Sequence, residues 1–195
     1  ILEALQHPGV PRVFECGVLG DKRPWTAMEI IDGPTLGELT RETPLAIADL
    51  VLAIRTIGEV LEHAHARGVI HQRLGEGAIV RTHSRHAPFT VVGWGSAGTR
   101  DGAAPGDPAR DVGTLGALAF RGLTGRPFTG ASARDEAPAA PLELATLIDE
   151  MLSESSVPAA TDVRVRAAWL ADTIVPRHTL PEMKAIDPFA VRINP

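Results

Sequence analysis

The chain has 195 residues, enough for one domain with its own hydrophobic core. A net charge of −5 leaves no electrostatic footprint for nucleic acid or an anionic membrane surface. No apolar run approaches the ~18 residues needed to span a bilayer: the best stretch, Leu50 to Leu61, is broken by Arg55 and Glu59.

Cys16 is the only cysteine, which excludes an internal disulfide and any multi-cysteine zinc site. A reducing, cytoplasmic compartment is the simple expectation. Lys22 and Lys184 are the only lysines among nineteen basic residues, so just two positions can supply lysine chemistry. The Arg-heavy, Ala-rich composition suggests a high-GC bacterial source. Ile1 is not a methionine and the first residues read as the end of a helix, so the chain is expected to be part of a longer protein.

In chain order, Ile1 to Gln6 reads as a helical tail with Leu2 and Leu5 on one side, closed by His7-Pro8-Gly9. Val10 to Leu19 and Pro24 to Ile31 read as strands joined by the Gly20-Asp21-Lys22-Arg23 turn, hence a hairpin. Asp32-Gly33-Pro34 breaks the pattern before a short helix around Leu36 to Leu39. Leu45 to Arg67 is the longest helical segment: Leu50, Ile54, Ile57 and Leu61 share a face, and Gly68 ends it. Val69-Ile70, Ala78 to Arg81 and Phe89 to Val92 are short strand-like runs, the last two separated by a polar turn at His83 to His86. Ser96 to Ala109 reads as a Gly/Ala/Pro loop. Helices are expected at Asp111 to Leu123, Pro141 to Leu152 and Ala159 to Leu170, followed by an extended tail over 176–195. A hairpin, a long helix, short paired strands and then only helices does not fit alternating βαβ units.

Five segments in this order carry a resemblance. They are Leu5-Gln6-His7-Pro8-Gly9-Val10, Trp25 to Gly33, Leu61 to His71, Asp111-Val112-Gly113-Thr114-Leu115-Gly116 and Leu123 to Phe128. Together they resemble the bacterial eukaryotic-like Ser/Thr protein kinases over roughly the first 170 residues. The resemblance implies an α+β, mostly α fold: the large, C-terminal lobe of a kinase with a small β-hairpin remnant of the N-lobe. It implies a kinase-like domain over residues 1–175 and a tail or linker over 176–195. Met28 would take the gatekeeper position, and Glu29, Ile30 and Ile31 would form the hinge and the remnant of the nucleotide pocket.

The chain departs from the family where the chemistry lies. His-Arg-Asp reads His71-Gln72-Arg73, so Arg73 stands at the catalytic base. A guanidinium has no acceptor lone pair and stays charged, so it cannot take a proton from a substrate hydroxyl. The loop's lysine and magnesium-binding asparagine become Gly75 and Ala78, and Asp-Phe-Gly becomes Gly93-Trp94-Gly95. Magnesium needs oxygen ligands, and neither Gly93 nor Ala78 has a side-chain oxygen. Lys22, in the hairpin turn, and Lys184, in the tail, do not match the ATP-pairing lysine, and its glutamate partner would fall before residue 1, Glu3 having the wrong offset. The Glu of Ala-Pro-Glu and its Arg partner are replaced in Ala104-Pro105-Gly106 and Val157-Pro158; losing both members of an ion pair is far cheaper than losing one. The resemblance leaves structural roles to Asp111, capping the loop backbone, His71, packing beneath it, and Gly116, allowing close helix contact.

The expected function is therefore a catalytically inactive pseudokinase: a scaffold or regulatory module binding protein partners, with Mg-ATP binding lost and no metal, nucleic acid or membrane contact. Two alternatives stand beside it. One is an atypical kinase using Asp101, Asp107 or Glu76 as metal ligands; the other is a packing element of a larger assembly. His63 and His65 lie two apart on a helix, point to different faces and read as ordinary helix-end residues. Trp94 reads as a core plug and Gly98 to Pro108 as a flexible connector; Arg73 reads as a drifted residue facing solvent or a local carboxylate, ahead of the alternative that it fills the empty magnesium site as a built-in cation.

Overall fold

The structure, a computed structural model, describes residues 5–83, 86–99 and 106–174. Helix dominates, with six short strands arranged as three antiparallel pairs among the described residues. The first pair is the hairpin of β1 (Val13–Val18) and β2 (Pro24–Met28). Its strands are shorter than the sequence suggests. Val10 and Pro11 are buried against the body of the molecule instead of pairing in the hairpin. Pro11 has no N–H to offer a ladder. Both faces of the hairpin are open: Phe14, Val18, Met28 and Ile30 are exposed.

Of the expected helical tail, only Leu5 and Gln6 lie within the described residues, and they are irregular rather than helical. Leu5 is nonetheless buried in the core. After β2 the chain enters α1 (Leu36–Leu39) through a capping box, in which Thr35 Oγ1 accepts from the Glu38 amide and Glu38 Oε2 accepts from the Thr35 amide.

The centre of the fold is α2 (Ile47–Ala66). Leu50, Ile54, Ile57 and Leu61 form its apolar stripe, and Val51, Val60 and Ala64 are buried as well, so the helix is enclosed on most sides. It ends at Gly68, whose φ of +71° is the left-handed conformation common just after a helix. β3 (Val69–Ile70) follows directly. β4 (Ile79–Arg81) pairs with β5 (Phe89–Val91), as the sequence pattern suggests.

The described ends of the segment read as a loop, Ser96 to Ala109, carry regular structure that its composition does not suggest. A 3₁₀ turn covers Trp94–Ser96, and β6 (Gly98–Thr99) pairs antiparallel with β3. α3 (Pro108–Thr124) begins three residues before Asp111. Asp107 is its N-cap, with Oδ1 accepting from the Ala109 amide at 2.9 Å, and Pro108 supplies a helix-ready φ. Asp-Pro is a helix-start signal that the surrounding glycine and alanine obscure.

Three more helices complete the body: α4 (Ala133–Glu136), α5 (Leu142–Met151) and α6 (Ala160–Ile174). The single turn α4 has no apolar period and was not expected. It is held by Asp149 of α5, whose carboxylate accepts from Ser132 Oγ at 2.7 Å and the Ala133 amide at 2.6 Å. α6 lies along α2 through Val163, Ala167 and Leu170, and Arg164 pairs with Glu62 across that interface. No described helix is long and apolar enough to cross a membrane. The tail expected over 176–195 lies outside the described residues, as do Ala104 and Pro105.

One tight approach fixes the path from hairpin to helix. Gly33 has φ +143°, and a Cβ there would sit 1.9 Å from the Arg81 carbonyl oxygen. Replacing it by alanine adds backbone strain of about 1–3 kcal/mol before any clash is relieved. In urea melts Gly33→Ala is expected to lose at least that much stability. Gly20→Ala, which meets nothing within 4 Å, should change it by no more than about 0.5 kcal/mol. Equal stability of the two variants would contradict this placement.

Candidate functional site

The residues singled out in the sequence fall on three segments: the chain leaving β3 at 71–78, the chain leaving β5 at 93–95, and the first turns of α3. The structure joins all three. β3 carries His71 straight off the end of α2, and α3 brings Asp111 beneath it with its side chain 1 % exposed. Asp111 Oδ2 accepts from the His71 amide at 2.8 Å, and Oδ1 accepts from the Gln72 amide at 2.9 Å. Two consecutive amides thus converge on one carboxylate. Gln72 has φ +66°, unusual for a residue with a side chain, and this turns its amide toward the acid.

A third donor was not anticipated. His65 Nε2 lies 3.0 Å from Asp111 Oδ2, and since the carboxylate only accepts, the ring nitrogen donates. The reading of His65 as an ordinary helix-end residue is therefore corrected. The signal was present: His65 is four residues beyond Leu61 and continues the buried stripe of α2. A polar residue on such a stripe requires a partner. The partner lies 46 positions away in sequence, so local pattern could not name it.

His71 is fully buried. Its Nε2 donates to the Val92 carbonyl at 2.9 Å, and its ring meets Trp94 edge-on, with centroids 4.6 Å apart. Trp94 is itself buried, its indole N–H donating to the Val91 carbonyl at 2.8 Å. The Val92 amide donates to the Ala78 carbonyl at 2.8 Å. These bonds lock the 71–78 and 91–94 segments against each other. Gly93 adopts φ +84°, and a Cβ there would reach Ala78 Cβ at 3.8 Å and His71 Cε1 at 4.0 Å. The space is adequate, but the backbone conformation is one that side chains strain to adopt.

Toward solvent the site is sparse. Arg73 is exposed and makes no ion pair with a described residue. Gly75, Gly77 and Gly95 face open space. Leu74 is buried and anchors the loop from below. Glu76 is occupied by Arg121 of α3, at 2.5 Å. Among the described residues no group of three or more His, Cys, Asp and Glu side chains is arranged to hold a metal ion.

Met28 closes β2, and Glu29 to Ile31 continue past it. The Glu29 amide donates to the Arg12 carbonyl at 2.8 Å, while Ile30 is 92 % exposed. Gly116 lies where α3 crosses α5: a Cβ there would stand 2.8 Å from Met151 Cβ.

The arrangement organises a loop through its backbone, and the side chains of Arg73, Gly75, Ala78 and Gly93 bring no acceptor or oxygen ligand to its open face. Asp111→Ala would leave two backbone amides and the His65 ring without their acceptor. It is expected to cost about 1–3 kcal/mol of unfolding free energy in urea. The exposed Arg73→Ala should stay within about 0.5 kcal/mol of the parent. A neutral Asp111→Ala would contradict the capping geometry.

Comparison with known proteins places this geometry in context. No family model matches the chain. The Ser/Thr protein kinase PknA of Mycobacterium tuberculosis is 28 % identical over 152 residues, covering 65 % of this chain and 35 % of PknA. Pkn1 of Myxococcus xanthus, also a Ser/Thr protein kinase, is 30 % identical over 148 residues, covering 63 % of this chain and 21 % of Pkn1. PknJ of M. tuberculosis is 31 % identical over 72 residues, 37 % of this chain and 12 % of PknJ. The chain thus spans about a third or less of the length of the curated relatives it matches. Its mixed fold, mostly helical with few strands, is compatible with part of a kinase-like fold. The chain is related to the bacterial eukaryotic-like Ser/Thr protein kinases.

Proposed function

We propose that this chain is a pseudokinase domain: the large lobe of a protein kinase with a hairpin remnant of the small lobe, acting as a protein-interaction or regulatory module. One observation carries the reading. In a loop whose first two amides are held by Asp111, the side chains at Arg73, Ala78 and Gly93 supply neither a proton acceptor nor a metal-binding oxygen. Phosphoryl transfer in the related kinases depends on positioning and on neutralising phosphate charge. The residues at those three positions do not fit a magnesium–nucleotide complex.

The atypical-kinase alternative loses ground on geometry. Glu76 is engaged by Arg121, and Asp107 is engaged in capping α3. Recruiting either as a ligand would break an existing interaction. Asp101 lies outside the described residues. The hinge assigned to Glu29 to Ile31 could offer backbone to an adenine edge, yet it leaves a triphosphate unheld. A partner-binding role is favoured by the exposed Phe14, Val18 and Ile30 on a two-stranded hairpin, a unit only marginally stable alone.

Thermal melts with ATP, with and without magnesium, test the proposal. The expected result is no magnesium-dependent rise in Tm and no phosphate transfer to the chain or to a generic substrate. Arg73→Asp alone should not restore transfer, because groups that act together fail together. Magnesium-dependent binding with Kd below about 100 μM would give about 1.4 kcal/mol of stabilisation at tenfold excess and would overturn the proposal.

A further inference from the structure

Outside the site, two histidines meet at the junction between the hairpin and α2. His7 and His63 face each other with ring centroids 4.9 Å apart. The His7 side chain is only 10 % exposed. Each ring accepts a hydrogen bond at Nδ1: His7 from the Gly9 amide at 3.0 Å, and His63 from Arg67 NH1 at 3.1 Å. An amide and a guanidinium can only donate, so both Nδ1 atoms carry lone pairs and both rings are neutral, with the proton on Nε2. His63 Nε2 is buried and has no partner among the described residues.

This small cluster holds the turn that leads into the hairpin. The Val10 amide donates to the His7 carbonyl at 3.0 Å, and the Gly9 carbonyl accepts from the Val91 amide at 2.8 Å. The Gly9 backbone presses on α2 so closely that a Cβ would stand 2.5 Å from Val60 Cγ2. Residues 7–10 are therefore seated on α2 and β5, and β1 begins three residues later.

We infer that His7 and His63 form an acid-released latch that holds the 7–10 turn, and with it the β1–β2 hairpin, against α2. Protonating His7 at Nδ1 removes the acceptor for the Gly9 amide; protonating His63 at Nδ1 removes one of the two acceptors of Arg67, leaving the His63 carbonyl, and sets two cations face to face. A doubly protonated pair would bring three positive groups together, His7, His63 and Arg67. Against them stands Glu59, whose Oε1 is 3.9 Å from His7 Nε2 and whose side chain is half exposed. The charges that act on the two rings lie on α2, at its C-terminal cap, or in the pair itself. β3 and β5 are uncharged, Arg164 of α6 is paired with Glu62, and Asp111 of α3 is held by His65.

Burial holds both rings below the ordinary histidine pKa; Glu59 partly offsets this for His7, while Arg67 pushes both further down. The sign follows. The unfolded chain binds these protons more readily than the folded one, so the stabilisation is complete above about pH 6.5. It is lost as pH falls through the lowered folded values.

The full 195-residue chain, followed by backbone hydrogen exchange corrected for intrinsic rates, tests the latch between pH 7.5 and pH 5. Peptides covering residues 5–28 should lose protection on acidification while peptides within α2 retain theirs. In His7→Asn/His63→Gln, whose amide oxygens still accept but do not titrate, residues 5–28 should stay protected at pH 5. Acid-insensitive protection of residues 5–28 in the parent chain would overturn the inference, as would acid loss that persists in the double variant. If the variant does not fold at pH 7.5, NMR titration of the parent rings decides. Both midpoints below the ordinary value, moving together with the Gly9 amide shift, support the latch. A midpoint at or above the ordinary value for either ring refutes it.

Discussion

The carboxylate of Asp111 is the constraint on which the rest of the site depends. It is almost completely buried and accepts from three donors, the His71 and Gln72 amides and the His65 ring. A buried carboxylate is tolerable only when its lone pairs are used, and each donor in turn would be costly to leave unpaired. The acid therefore binds the end of α2, the chain leaving β3 and the start of α3 into one unit. His71 extends that unit to β5 through the Val92 carbonyl, and Trp94 closes it from the other side. None of these contacts involves a reacting group.

That separation between scaffold and chemistry makes the functional reading coherent. Interactions that position a loop act on its backbone and its buried side, whereas phosphoryl transfer needs particular atoms on its open side. Here the buried side is bonded through Asp111, the His71 Nε2 and Trp94, and the open side presents Arg73, Gly75, Ala78 and Gly93. Side chains that face solvent contribute little to stability, so a position such as Arg73 is free to vary without penalty to the fold, whereas the left-handed backbone at Gly93 still favours glycine. Asp111, His71 and Gly116 have no such freedom, because each is fixed by a neighbour at hydrogen-bonding or van der Waals distance.

Much of the fold was legible from periodicity. The stripe of α2, the glycine that ends it, the hairpin and the three later helices follow from apolar spacing and turn residues. The misses share a physical cause. β6 and the early start of α3 lie at the described ends of a Gly/Ala/Pro stretch where composition suggests a loop, one formed by a two-residue pairing and the other by an Asp-Pro cap. α4 is a single turn held by the distant Asp149, and the donor role of His65 depends on a contact 46 residues away. Local pattern reports local interactions. The identities at Arg73, Ala78 and Gly93 were legible at once, since the lack of an acceptor or an oxygen is a property of the side chain alone; the left-handed backbone at Gly93 and Gln72 was not.

The central claim is that Asp111 makes the loop part of the core independently of any catalysis. Native-state hydrogen exchange at the His71 and Gln72 amides addresses it most directly, measured against urea alongside the amides of Ile54 and Ile57 in the middle of α2. If the account is right, the loop amides open only with the core, sharing its free energy and urea dependence. Exchange of His71 and Gln72 through a local, urea-independent opening while α2 stays protected would contradict it.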